Sequence, residues 1–164
     1  MRDLQAIADR VEIEALRAEF SDAAMMGDND RIASLYTEDG VYRIPAVNIE
    51  HSGREAIRAG IENHAELWEY FVQNTHSGAV HLEGDRASGR AYICELGRLN
   101  DGRSIFNYAL FHDCYRRTPQ GWKFTERVYE VRYFDTTPLA GSPAVVWETA
   151  GSAGDTGRTG PGPS

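Results

Sequence analysis

Apolar positions recur at helical spacing from the start of the chain. Leu4, Ile7, Val11, Leu16 and Phe20 stand three to five residues apart with Arg and Glu between them, and Ala23, Ala24, Met25 and Met26 extend the stripe. The pattern predicts a first helix ending at Gly27, since glycine takes the left-handed cap conformation without a Cβ clash. Asp28 or Asn29 can cap a short second helix carrying Ile32, Leu35 and Tyr36, which Gly40 stops. Residues 41–44 read as a short strand ended by Pro45. A third helix is expected over 54–70, with Ile57, Ile61, Ala65 and Trp68 on its apolar face.

The period then changes. Four β-type runs, over 75–82, 87–99, 104–117 and 122–134, are separated by Glu83-Gly84-Asp85, Asn100-Asp101-Gly102 and Thr118-Pro119-Gln120-Gly121. Consecutive long strands with tight turns predict an antiparallel meander. Helices first and strands after predict an α+β fold in which the helices cover one face of a curved sheet. Side chains then alternate between that face and the other.

Composition narrows the function. The chain has 164 residues, enough for a single domain over 1–147. The remaining 148–164 are rich in Gly, Pro and Ser and are expected to be disordered, because they offer little apolar surface to offset ordering entropy. With 17 basic and 25 acidic residues the net charge is −8, which repels nucleic acid and anionic membranes alike. No apolar run is long enough to span a bilayer, and the charged amphipathic start does not resemble a secretory signal, so a cytoplasmic location is expected. Cys94 and Cys114 fit two reduced thiols. Lys123 is the sole lysine among 17 basic residues, a bias that GC-rich coding sequences give. His51, His64, His81 and His112 are scattered, so no metal is expected. There is no glycine-rich nucleotide loop and no nucleophile elbow, and no cofactor is expected.

Three local phrases carry a resemblance: Gly53-Arg54-Glu55-Ala56-Ile57 at the third helix, Glu83-Gly84-Asp85-Arg86-Ala87 at the first hairpin, and Gly121-Trp122-Lys123-Phe124 at the last strand. Their order is similar to the SnoaL-like (nuclear transport factor 2-like) superfamily over about 7–143, which implies a cone-shaped barrel of curved antiparallel sheet with a ligand pocket inside. Thr75-His76-Ser77-Gly78, Lys123-Phe124-Thr125-Glu126-Arg127 and Thr137-Pro138-Leu139-Ala140-Gly141 resemble its scytalone dehydratase and lindane dehydrochlorinase branch. That resemblance implies His76 as base and Arg127 as electrostatic helper. The branch's first-helix aspartate, which orients the histidine, falls here on Met25, which cannot accept an imidazole N–H as a carboxylate does.

Counting by two and comparing with the family's inward positions turns Ala91, Ile93 and Glu95 into the cone. The same parity turns in Asn107, Ala109 and Phe111, then Arg127, Tyr129 and Val131. Glu95 becomes a second candidate base or acid, or an ion-pair partner of Arg127. Tyr129 and Asn107 could hold a substrate oxygen, and Arg127 could stabilise developing charge or form a structural ion pair with Glu95 or Glu126. A one-residue bulge would instead bring in Tyr92, Tyr108, His112, Glu126, Val128 and Glu130. Tyr42, Met25, Met26, Trp68 and Phe71 read as pocket wall or as plain core. The expected function is a cofactor-independent dehydratase, isomerase or cyclase acting on a small apolar natural-product intermediate. The alternatives are a binding or scaffolding module, such as an oxygenase small subunit, and a dehydrochlorinase-type lyase. Tyr92, Cys94, Leu96, Tyr108 and Leu110 on the outer sheet face predict a homo-oligomer, dimer or trimer.

Overall fold

The computed structural model describes residues 3–142; the tail at 148–164 lies outside them. The first helix, α1, spans Leu4–Met26. Asp3 caps it by accepting the Gln5 N–H, and Gly27 ends it at φ 67°. The short α2, Asn29–Ser34, starts under an Asp28 cap. Tyr36, expected on that helix, opens β1 instead, which runs Tyr36–Ile44 through Gly40. A single 3₁₀ turn at Pro45–Val47 leads to β2 (Ile49–Ser52) and then α3 (Arg54–Ala65).

The third helix is shorter than its apolar spacing predicts. Residues 67–72 are Leu-Trp-Glu-Tyr-Phe-Val, a run that fits a pleated surface better than a helix. The chain leaves the helix after Ala65 and forms β3 (Trp68–His76) against β5 (Arg86–Leu99). The run expected over 75–82 splits, and β4 (Val80–Glu83) pairs the other end of β5. Gly78 lies in the break and is forced: a Cβ there would sit 1.7 Å from the Arg90 carbonyl oxygen. The long strands β6 (Ser104–Thr118) and β7 (Gly121–Asp135) complete the sheet close to their expected bounds.

Strand order is β2-β1-β7-β6-β5-β3, with β4 beside β5. Among the described residues only the β1–β7 pair is parallel. The fold is α+β with helices over one face of a curved sheet, but the sheet stays open rather than closing into a barrel. Ile13, Leu16, Phe20 and Ala23 of α1 are buried against it. Phe20 meets Tyr36, Phe111 and Phe124 edge-on, with centroids 5.6–6.5 Å apart. The first turns of the α1 stripe differ from expectation: Leu4, Ile7 and Val11 are exposed, while Asp9 and Arg17 are buried. Asp9 accepts both Arg117 Nη1 (2.7 Å) and Nη2 (2.6 Å), and also Trp122 Nε1 (3.2 Å), tying α1 to the β6–β7 hairpin. Among the described residues no helix is long and apolar enough to cross a membrane.

Candidate functional site

The covered face of the sheet carries two polar clusters. The deeper one is built around Asp113 on β6. Arg127 on β7 forks onto it, Nε to Oδ1 at 2.8 Å and Nη2 to Oδ2 at 3.2 Å. Tyr115 donates to Asp113 Oδ2 at 2.7 Å and accepts from Arg17 Nε at 2.7 Å. Three rings surround the Arg127 guanidinium, with Phe111, Phe124 and Phe20 centroids 3.7, 4.2 and 4.4 Å from its Cζ. Arg127 thus stands in a buried ion pair with Asp113, and that partner is neither of the two expected: Glu126 pairs with Arg43 and Glu95 stands apart. Asp113 was missed by the sequence reading, although it shares the inward parity of Asn107, Ala109 and Phe111.

The second cluster centres on Glu95 of β5. Gln73 on β3 lies directly across the ladder and donates Nε2 to Glu95 Oε1 at 2.6 Å. Tyr129 on β7 donates its hydroxyl to the other carboxylate oxygen. Ser21 on α1 donates to Gln73 Oε1 at 2.6 Å and shares a hydrogen bond with the Thr75 hydroxyl. Asn107 on β6 donates Nδ2 to the Tyr129 oxygen at 3.4 Å, and its own Oδ1 is buried with no partner. Burial and the adjacent Glu95 both push the Tyr129 phenol well above its usual range, so it stays protonated and acts as a donor. Tyr42, partly buried against Phe111, is raised for the same two reasons, burial first and Glu95 second.

His76 does not join this cluster. Because β3 starts at Trp68, Gln73 and Thr75 point inward and His76 points out. It is exposed, paired with Tyr92 on the outer face. The strand alternation of β3 thus sets His76 apart from the Glu95 cluster. Met25 is 39 % exposed at the end of α1 and supplies no orienting carboxylate. Trp68 and Phe71 are half-buried neighbours, 5.1 Å between centroids, and Trp68 fills the space beside Gly97. Phe111 is buried between Tyr42, Tyr129 and Arg127, and Val131 packs at the core edge. Ser21, Gln73 and Thr75 were not foreseen; their signal was the true start of β3, hidden by the helical spacing that continues to Trp68.

Among the described residues no group of three or more His, Cys, Asp or Glu is placed to hold a metal, and Cys94 and Cys114 are free thiols. Two grooves, of about 600 and about 360 Å³, lie outside both clusters. The first is lined by Thr37, Arg54, Arg116 and Lys123, the second by Arg86, Ser88, Cys114 and Thr125.

The SnoaL-like domain model matches residues 5–128. The chain is 32 % identical over 146 residues to the gamma-hexachlorocyclohexane dehydrochlorinase of Sphingobium indicum, covering 86 % of this chain and 90 % of that one. The crystal structure of LinA superposes with a TM-score of 0.77 at 27 % identity, over 88 % of this chain and 99 % of the other. A nuclear-transport-factor-2-like protein of Novosphingobium aromaticivorans gives 0.70 at 28 %, over 79 % and 85 %.

Proposed function

The chain belongs to the SnoaL-like domain family, and from that premise we propose that it is a cofactor-independent lyase or isomerase whose acid–base carboxylate is Glu95. One observation carries this reading: a buried carboxylate on the covered face whose hydrogen-bond partners are neutral, Gln73 and Tyr129. A carboxylate neutralised by arginine is a structural tie. One held by an amide and a phenol keeps its charge available to a substrate proton.

In this mechanism Glu95 takes a carbon-bound proton. The electron pair left behind forms the new double bond or ring bond, and the leaving group departs from the neighbouring carbon. Tyr129 holds the Glu95 carboxylate in place, and the second amide hydrogen of Asn107 is left for the substrate oxygen that gains charge. The orphaned Asn107 Oδ1 calls for a donor, which a substrate hydroxyl would supply. Tyr42, Phe111, Trp68 and Val131 give the site apolar walls, suiting a small carbocyclic natural-product intermediate undergoing dehydration or cyclisation. Glu95→Gln is expected to lower turnover by about 10²–10⁴-fold, measured as loss of water or halide from a panel of hydroxylated and chlorinated cyclic compounds. Wild-type turnover by a folded Glu95→Gln protein would sink the reading.

Similarity to a named dehydrochlorinase favours a second reading, elimination of HCl from a chlorinated ring by the same carboxylate. Halide release distinguishes it from dehydration in the same panel. Tight ligand binding without turnover of any member would point instead to a binding module. We further propose a cytoplasmic homo-oligomer, dimer or trimer, joined through the outer sheet face. There Tyr92, Tyr108 and Tyr133 are each about half exposed, and Phe106 packs against Tyr108 at 5.3 Å. A monomer mass at micromolar concentration would refute it.

A further inference from the structure

The larger of the two grooves, about 600 Å³, is lined by polar and charged residues throughout. Three cations share it: Arg54 from α3, Arg116 from β6 and Lys123 from β7. Two carboxylates of β1, Glu38 and Asp39, stand beside them. The lining therefore carries three positive charges against two negative ones, in a chain whose net charge is −8. Arg116 is matched by Asp39, Nη2 to Oδ1 at 2.9 Å. Among the described residues Arg54 and Lys123 form no ion pair and hold backbone carbonyls instead. Arg54 Nη2 donates to the Tyr36 oxygen at 2.6 Å, and Lys123 Nζ to the Ser34 oxygen at 2.8 Å.

Those two bonds tie down the turn from α2 into β1, and they account for one donor on each cation. They leave two Lys123 ammonium hydrogens and the Arg54 Nη1 pair uncommitted, and Arg54 Nε is buried without a partner. A carbonyl is a dipole and does not cancel a full charge. Two like charges thus face one cavity with no counter-charge of their own. Burial first, and the Arg54 charge second, lower the Lys123 proton affinity below its usual 10.5. An anion seated between the two cations removes that repulsion.

We propose that this groove binds a small phosphorylated polyol, with its phosphate between Lys123 and Arg54 and its hydroxyls on Glu38, Asp39 and Gln120. The volume is far larger than a bare oxyanion fills. A wall with no aromatic or aliphatic side chain selects a hydroxylated body over a nucleobase or an acyl chain. Glu38 and Asp39 offer acceptors for hydroxyl protons, and Gln120 offers both a donor and an acceptor. Guanidinium and ammonium together suit the oxygens of a phosphate. Lys123 and Tyr129 are separated along β7 by about 20 Å, at ~3.3 Å per residue. The groove is therefore distinct from the Glu95 cluster, and its ligand does not depend on the function proposed above.

Lys123 is the sole lysine, so isotopic labelling of the lysine Cε gives one NMR signal, and that signal reports on the groove. The probe is α-glycerophosphate, a phosphate ester of the smallest common polyol. It should shift the signal saturably and raise its titration midpoint from the lowered value of the free chain, since an adjacent anion favours the ammonium. Glycerol, and sodium chloride at matched ionic strength, should do neither. By calorimetry, inorganic phosphate should bind at least about 10-fold more weakly than the ester, because it lacks the hydroxyls. Lys123→Gln should weaken the ester at least about 10-fold. Arg116→Gln, at an exposed position, should weaken it too by freeing the Asp39 charge to repel phosphate, and it keeps the test open where Lys123→Gln fails to fold. No saturable shift from α-glycerophosphate, an equal shift from chloride, or wild-type affinity in the folded variants overturns the site. Equal affinity for inorganic phosphate and the ester overturns the polyol.

Discussion

Two tyrosines of the sheet donate to two buried carboxylates, and their surroundings differ. Tyr115 and Asp113 lie among three aromatic rings with Arg17 and Arg127 at hand, so the negative charge is matched by guanidinium. Tyr129 and Glu95 have an amide, an asparagine and a serine–threonine pair around them, and among the described residues no guanidinium bonds to either. The first arrangement fixes the geometry of the carboxylate. The second leaves an unbalanced charge at the end of a relay of neutral donors. On the function proposed above, the same residue types serve structure in one cluster and chemistry in the other.

Breaking the structural side should give the larger response. Asp113→Ala leaves the buried Arg127 unpaired, and removal of one partner of a buried ion pair costs about 3–5 kcal/mol. Chemical denaturation should show that loss with little change in m-value. A Tyr pair of substitutions sharpens the comparison. Tyr115→Phe should cost about 1–3 kcal/mol of stability, since it orphans a buried donor of Arg17 and an acceptor of Asp113. Tyr129→Phe should instead lower turnover by about 10²-fold, as expected for loss of the hydroxyl that holds the Glu95 carboxylate, with a smaller change in unfolding. Equal stability losses with no catalytic difference between the two would erase the distinction drawn between the clusters.

A smaller effect is expected at a third carboxylate. Asp9, hydrogen-bonded to Arg117, Gln5 and Trp122, is held well below its usual 3.8, chiefly by Arg117. A carboxyl depressed on folding adds stability that is fully present above 3.8 and is lost as pH falls below it. Asp9→Asn should therefore flatten the acid side of the stability–pH curve below about pH 4 and lower the plateau above it. An unchanged slope would mean that the hairpin tie contributes nothing in solution.

The outline of the fold was legible because its signals are local. The α1 stripe and Gly27, and the turn residues between β5, β6 and β7, fix element ends within a residue or two. Inward parity on those three strands followed, and with it the placement of Glu95, Asn107, Phe111 and Tyr129. The junction of α3 with β3 was not legible. Ile57, Ile61, Ala65 and Trp68 keep helical spacing across a point where the backbone changes state, so periodicity saw no boundary. Residues 68–74 were not read as strand as a result, which hid the pairing of Gln73 with Glu95 and put His76 at the head of a strand rather than at the end of one. The Arg127–Asp113 pair was illegible for another reason: a buried arginine and a catalytic one share the same parity, and only the neighbouring rings and carboxylate tell them apart.

The α3–β3 junction makes the smallest expected effect the most discriminating. His76 matches the resembling branch in sequence, but β3 presents it on the exposed face, across the sheet from the Glu95 cluster. Its substitution touches no buried partner, so His76→Ala should alter stability by no more than about 0.5 kcal/mol. It should leave kcat and its pH dependence unchanged. A large fall in kcat with stability intact would mean that β3 slides by one residue in the working enzyme, bringing His76 in and Gln73 out. In that state Glu95 would lose the amide that holds Oε1, and the Glu95→Gln and His76→Ala effects would no longer be independent. A double-substitution cycle on the two positions therefore separates a fixed register from a sliding one: additivity with a null His76 term supports the fixed strand, and strong coupling supports the slide.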